Sequence, residues 1–298
     1  MAPNAGDPAN LESFVRYARE SQPDNATFLI AGGHGEGHRG VLTDDRHNDR
    51  LQLSELEGAL SAQPVDALMF DSCLMNSLEV ARTLDGEVGV MVASQDVVLS
   101  GASLSSYLQA ASTSADARDL GARLVEGRSY NFSTLTAVDT AATSATVAPL
   151  KELAGHLLEV DTETIERVYE ESRRGLQGAG HVLMGYFMYP GERVDVGSFC
   201  RQLMEEPGLS EELKASAGGL LEAVGNATIA HSSKAEDGST GMTMGLTLYR
   251  DKVEASPEEV ALWKETGWDK VIERFQTHNP KKAQAPDILT LMKQKSRG

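Results

Sequence analysis

Two short stretches of the chain hold residues that could do covalent chemistry together. In FLIAGGHGEGH an apolar run ends in glycines and delivers His34 and Gly35; in VDALMFDSC a second apolar run ends at Cys73. Ligands bind beyond the carboxyl ends of strands in open α/β sheets, so an imidazole and a thiol carried by neighbouring strands would share one rim. There His34 takes the thiol proton, the Cys73 thiolate attacks a carbonyl carbon, and the imidazolium protonates the leaving amine. That is the pairing a cysteine peptidase needs. Backbone N–H groups at a strand-to-helix turn can hold the developing oxyanion, and Gly35 suits this task because no side chain screens its backbone.

Each residue also has a plainer explanation. A lone cysteine after an apolar run is usually a packed core residue, and a histidine beside glycine is usually a loop residue. The pair in this order, each at the end of an apolar strand, is what favours chemistry. The spelling HGEGH invites a metal site from His34, Glu36 and His38, but its glycines disfavour a regular strand and no further cluster completes a ligand shell, so no metal cofactor is expected. Asp44 and Asp45 permit calcium without specifying a site for it. A third reading, a nucleotide-binding α/β domain, has only a weak signal, because the glycines of AGGHGEG match neither GxGxxG nor GxxxxGK. Cys200 falls at an apolar spacing in VGSFCRQLM and reads as structural, Trp263 and Trp268 read as packing residues of the last helix, and His181 and His231 have no partner identifiable from sequence.

The elements that must position these residues are legible from periodicity. DPANLESFVRYARE, with Leu11, Phe14, Val15 and Ala18 at helical spacing and Asp7-Pro8 as its start, predicts an amphipathic helix. ATFLIAGG, VDALMFD and VGVMVAS are short apolar runs of the kind found in buried parallel strands. Between the first two lies a polar, glycine-rich loop with room for a small hairpin, then SELEGALSA, where Ser54 and Glu57 carry a capping-box signature. Helices follow in NSLEVARTL, SLSSYLQAA and DARDLGARLVEG, and STLTAVD predicts a fourth strand. Strands alternating with helices imply an α/β sandwich with a mainly parallel sheet over residues 1–140. Residues 141–298 read as mainly helical, with a late strand at about 241–249 expected to join the sheet and a polar, Lys-rich end expected to fray.

Composition narrows the partners. A chain of 298 residues with net charge −17 lacks the clustered cations that phosphate backbones and anionic membranes require, so neither nucleic acid nor membrane is expected, and cationic ligands are favoured. Two cysteines make no disulfide framework. With no signal peptide and no apolar run long enough to span a bilayer, the chain is expected to be cytoplasmic, or secreted if an upstream segment has been removed.

The blocks AGGHGEG, LQLSELEGALSA, VDALMFDSCLMNSLEVA and VASQD, followed by TLTAVDT, DVGSF, GMTMGLTLY and TGWDKVIERF, resemble the clostripain family of caspase-like cysteine peptidases over nearly the whole chain. The resemblance implies a caspase-like three-layer sandwich, with His34 and Cys73 as catalytic pair and the amides of Gly35 and Cys73 as oxyanion site. It implies that Asp71 is the acid of a primary pocket taking Arg or Lys before the scissile bond, with Ser94 and Gln95 lining that pocket. A carboxylate there can pair with a guanidinium and place the next peptide bond. By raising the thiol pKa it would also leave the nucleophile to be switched on by a bound basic side chain. Family members often cut themselves between the His and Cys strands, where Arg46 and Arg50 of DDRHNDR are the candidate points. They usually carry a further strand and helix, and a second strand, before the region where this chain begins. The expectation is therefore a sheet edge restored by a propeptide or partner chain. The alternative is a binding module or subunit that has lost competence together with those strands.

Overall fold

The computed structural model describes residues 3–98, 103–128, 132–177, 193–233, 239–246 and 260–278, with side chains described to residue 172 in the helix ending at 177 and to residue 276 in the helix ending at 278. Helix α1 (Pro8–Ser21) begins where the sequence places it. The Asp7 carboxylate accepts from the Ala9 N–H (2.9 Å), and Pro8 occupies the first turn, where its missing N–H is no loss. Strand β1 (Phe28–Gly33) leads into a 3-10 turn (Gly37–Arg39) and the hairpin β2 (Val41–Asp44) and β3 (Asp49–Leu51). Helix α2 (Leu53–Ser61) starts one residue earlier than its sequence signature suggests. The capping box is formed by Gln52 and Glu55, not Ser54 and Glu57, because Gln52 is the residue still in extended conformation (φ −67, ψ 158) when the helix begins.

Strand β4 (Val65–Ser72), helix α3 (Leu78–Thr83), strand β5 (Val88–Ala93), helices α4 (Leu104–Thr113) and α5 (Ala117–Glu126) and strand β6 (Thr134–Asp139) complete the first half. Helices α6 (Val147–Leu157), α7 (Thr162–Gln177), α8 (Val196–Glu205) and α9 (Glu211–Ala227) follow, with strand β7 (Arg193–Asp195) ahead of α8. Strand β8 (Thr228–Ser233), strand β9 (Thr243–Gly245) and helices α10 (Ala261–Thr266) and α11 (Trp268–His278) end the described chain.

The main sheet has the order β1-β4-β5-β6-β8. β1, β4 and β5 pair in parallel, and β6 is antiparallel to both neighbours, so four of the five strands point the same way. Side chains alternate across β4. Leu68 and Phe70 join the large core shared with α2, α3 and the helices of the second half, whereas Ala67 and Met69 face a smaller cluster containing Tyr107, Leu120 and Leu124 of α4 and α5. The result is the expected α/β/α sandwich.

The sheet differs from its sequence reading at the far edge. The late strand does not join it: β9 pairs with β7 in a separate antiparallel ribbon, touching the main body through a bridge from Thr243 to Ser77. Residues 247–249 of that expected strand lie outside the described residues, as do His181 and the Lys-rich end. The fifth strand is instead β8, whose six residues are all half-buried, as suits a solvent-facing edge. Trp263 and Trp268 are buried, but in α10 and at the start of α11, where their indole N–H groups donate to Glu79 Oε1 (2.9 Å) and the Gly245 carbonyl (2.7 Å). Cys200 is buried in α8, and burial pushes its thiol up to about 12.

Candidate active site

The parallel register of β1 and β4 runs from Phe28 opposite Ala67 to Gly33 opposite Ser72. The next residue of each strand is His34 and Cys73, so the two leave adjacent strands side by side, on backbones about 4.8 Å apart. Phe28 and Ile30 pack with Ala67 and Met69 in the smaller cluster. His34 and Cys73 continue those rows, beyond Gly32 and Asp71. Gly35 presses against the same turn: a Cβ there would lie 2.6 Å from the Cys73 carbonyl oxygen and 2.9 Å from the Met75 side chain, a closeness only glycine permits. β2 braces the histidine loop, since the Leu42 N–H donates to the His34 carbonyl (2.9 Å) and the Glu36 N–H to the Gly40 carbonyl (3.0 Å). The imidazole of His34 is exposed.

The thiol of Cys73 is half-buried and rests on Val98. The Val98 N–H donates to Sγ (3.3 Å), and Sγ–H donates to the Val98 carbonyl (3.6 Å). His34 is not among its hydrogen-bond partners. Burial raises the thiol pKa above its ordinary value, the Val98 N–H opposes that rise, and the charge of Asp96 adds to it. Asp96 is thus a carboxylate acting on the thiol that the sequence had not singled out.

Asp96 is one of three residues that the sequence reading overlooked. It is buried on the loop after β5, its carbonyl accepts from the Leu74 N–H (3.1 Å), and Ser133 Oγ donates to its carboxylate. Its apolar-strand-end position in VASQD was the available signal. Tyr107 is the second. In α4 the tyrosine is buried while Leu104 and Leu108 are 62% and 57% exposed, and its hydroxyl donates to Asp71 Oδ2 (2.8 Å). Arg193 is the third; its guanidinium donates to the carbonyls of Leu74 (3.0 Å) and Glu36.

Ser94 has structural bonds to Thr134 Oγ1 (3.0 Å) and to the Asp96 N–H (3.0 Å). Gln95 is 2% exposed, and neither atom of its amide has a hydrogen-bond partner among the described residues. Arg46 lies exposed in the β2–β3 turn, whereas Arg50 is held in β3 by Glu36 (2.8 Å). The side chains of HGEGH are committed separately: Glu36 to Arg50, and His38 to an edge contact with Trp263 (4.8 Å between ring centroids). Burial, then the cations Arg193, Arg39 and Arg50, push His38 well below the usual histidine range. His231 meets Thr136 Oγ1 (2.9 Å) in the sheet. No helix among the described residues is long and apolar enough to cross a membrane.

Comparison with known proteins bears on the fold and the family. The chain is similar to the structure of a secreted C11 cysteine protease from Bacteroides thetaiotaomicron in complex with an irreversible peptide inhibitor (TM-score 0.62, 17% identity, covering 91% of this chain and 80% of that one). It is also similar to an inactive zymogen C11 protease from Parabacteroides distasonis (TM-score 0.63, 14% identity, 89% and 77% covered). At these identities the likeness speaks for the fold. In sequence, it is 33% identical over 94 residues to clostripain of Hathewaya histolytica, covering 26% of this chain and 18% of that protein's length. The profile of the clostripain family matches residues 1–214, well over half of the sequence, and the chain belongs to that family.

Proposed function

We propose that this protein is a cysteine endopeptidase that cuts after Arg or Lys, with Cys73 as nucleophile and His34 as its proton-transfer partner. The observation that carries the reading is the β1–β4 register, which delivers an imidazole and a thiol to one rim of the sheet. Substrate entering beside Cys73 displaces the thiol from Val98 and lets the proton pass to His34. The thiolate then adds to the carbonyl carbon. The amides of Gly35 and Cys73 receive the oxyanion, the imidazolium protonates the departing amine, and water releases the acyl group in the reverse sequence. Asp71, steadied by Tyr107, supplies the charge that selects a basic side chain, and the amide of Gln95, which has no hydrogen-bond partner among the described residues, gives the same pocket a donor and an acceptor. A fluorogenic Arg-amide peptide tests this directly. Turnover that survives Cys73→Ala would remove the proposal.

A second reading, in which a partner segment completes the sheet, draws on β1. It is an edge strand among the described residues, and Phe14 and Tyr17 of α1 are 60% and 71% exposed. If this reading holds, the chain alone elutes as an incomplete, self-associating species, and a monodisperse active monomer counts against it.

A further inference from the structure

Arg193 stands 119 residues from Leu74 in sequence, yet its side chain joins the two loops that carry the reacting groups. Nη1 donates to the carbonyl of Leu74, the residue after Cys73, and Nη2 donates to that of Glu36, two residues after His34. The residue is only 6% exposed. Gly37 lies against the guanidinium, where a Cβ would come within 2.6 Å of Nη1 and 2.9 Å of both Cζ and Nη2. The site of attachment is itself unusual. Leu74 adopts φ +64, a left-handed conformation that a bulky residue rarely enters. Such backbone persists only where its surroundings over-determine it. Here they do so from both sides: the Leu74 N–H is taken by the Asp96 carbonyl (3.1 Å), and its C=O by the Arg193 cation. Arg193 is anchored in turn by its place in β7 opposite Gly245 and by the Tyr169 hydroxyl, which donates to its carbonyl (3.3 Å).

We infer that Arg193 is a positioning residue for the nucleophile, a two-pronged clamp from the second half of the chain that sets the His34 loop against the strained Cys73–Leu74 turn. It touches neither substrate nor thiol; it acts through two backbone carbonyls. A planar fork can grip both at once, whereas the compact ammonium of lysine can hold one well. In its kinetic part the inference rests on the peptidase reading above.

The test compares the full chain with Arg193→Met, Arg193→Lys and Gly37→Ala, using steady-state kinetics on an Arg-amide peptide and amide hydrogen exchange followed by mass spectrometry. Misplacing reacting groups by an ångström costs about a hundredfold, so Arg193→Met is expected to lower kcat by about that factor with KM little changed. Arg193→Lys should recover part of the loss. Gly37→Ala, which crowds the fork while keeping the arginine and also strains a backbone at φ +66, should reproduce it, and the extra loss on adding Gly37→Ala to Arg193→Met should be small if the crowding of the fork is what matters. Exchange should quicken in peptides covering residues 34–40 and 73–77 while β5 and β6 stay protected. Equal kcat for Arg193→Met and the parent, a full rescue by lysine, or exchange rising evenly through the sheet overturns the clamp. If Arg193→Met fails to fold, Arg193→Lys and Gly37→Ala decide by the same measurements. If the parent chain shows no Cys73-dependent turnover, the peptidase reading falls, and the exchange pattern alone decides the clamp.

Discussion

Tyr107→Phe deletes a single hydroxyl, and the Asp71 carboxylate then loses the donor that stands 2.8 Å from Oδ2. What is lost is orientation of the carboxylate. Hydrogen bonds to charged groups contribute about 1.5–3 kcal/mol, and because Asp71 is half-buried, water recovers part of that. A net effect of about 1–2 kcal/mol corresponds to roughly 5- to 30-fold in rate.

Matched peptide amides with arginine or citrulline before the scissile bond isolate that effect, because citrulline keeps the shape and loses the charge. In the parent enzyme the ratio of kcat/KM values for the two should be large. Tyr107→Phe should shrink it by the factor above, by slowing the arginine substrate alone, and Asp71→Asn should bring it close to one. A variant that loses activity equally on both substrates, or keeps the parent ratio, refutes Tyr107 as the support of a specificity acid. A parent enzyme with no preference between the two refutes Asp71 itself.

Alkylation of Cys73 by iodoacetamide should still be accelerating at pH 9, since burial and Asp96 raise the thiol pKa; Asp96→Asn should move the profile to lower pH, and Asp71→Asn should leave it in place. Self-processing, followed by mass spectrometry, should stop in Arg46→Gln and continue in Arg50→Gln, because Arg46 is exposed in a turn while Arg50 is paired within a strand; fragments that persist in Cys73→Ala would exclude self-cleavage. Asp195 is buried at the start of α8 with its pKa raised to about 6 against an ordinary 3.8, so the folded state holds the extra proton. The contribution of Asp195 to stability should therefore be full below pH 4 and be lost as pH rises through 6, by about 3 kcal/mol at 1.36 kcal/mol per unit. Urea midpoints of the parent and Asp195→Asn that run parallel over that range contradict this.

Whether a feature could be read from the sequence followed the range of the interactions that make it. β4 and β5 are continuous apolar runs because each is covered on both faces, β1 keeps the same spelling with one face only half-covered, and that local signature survives without knowledge of neighbours. The candidate pair His34 and Cys73 was legible for the same reason, since each follows such a run. β8 was not: TIAHSS alternates neither cleanly nor hydrophobically, because an edge strand needs only half-burial, and its pairing to β6 bridges residues about a hundred positions apart. Tyr107 looked like any aromatic on an amphipathic helix. What singles it out is that it is buried where two leucines are not, a choice imposed by Asp71 across 36 residues. Arg193 carried no local sign at all. Ser54 and Glu57 show the reverse error, a capping-box spelling inside a helix that has already begun, because the box that forms is Gln52 with Glu55.

The long-range bonds share a direction that bears on how the site works. Asn76, three residues after the nucleophile, donates to the Gly241 carbonyl and accepts from the Thr243 N–H (3.1 Å). Glu79 accepts from the Gly245 N–H (2.7 Å) and from the Trp263 indole. Asp195 accepts from Thr240, and Arg193 reaches Leu74 and Glu36. The ribbon of β7 and β9 and the residues leading into β9 are therefore bonded to the segment after Cys73 at Leu74, Asn76 and Glu79, and one large core includes both Val15 and Phe275. Chemistry written in the first hundred residues is held in shape by residues beyond 190. A cut in the β2–β3 turn would leave all of these bonds in place, since none of them passes through that hairpin. What it would release is the grip of β2 on His34, through Leu42, and of Arg50 on Glu36. If the chain is cut at Arg46 as proposed, the imidazole loop is loosened while the thiol turn stays clamped, so the expected activating movement lies on the His34 side of the pair.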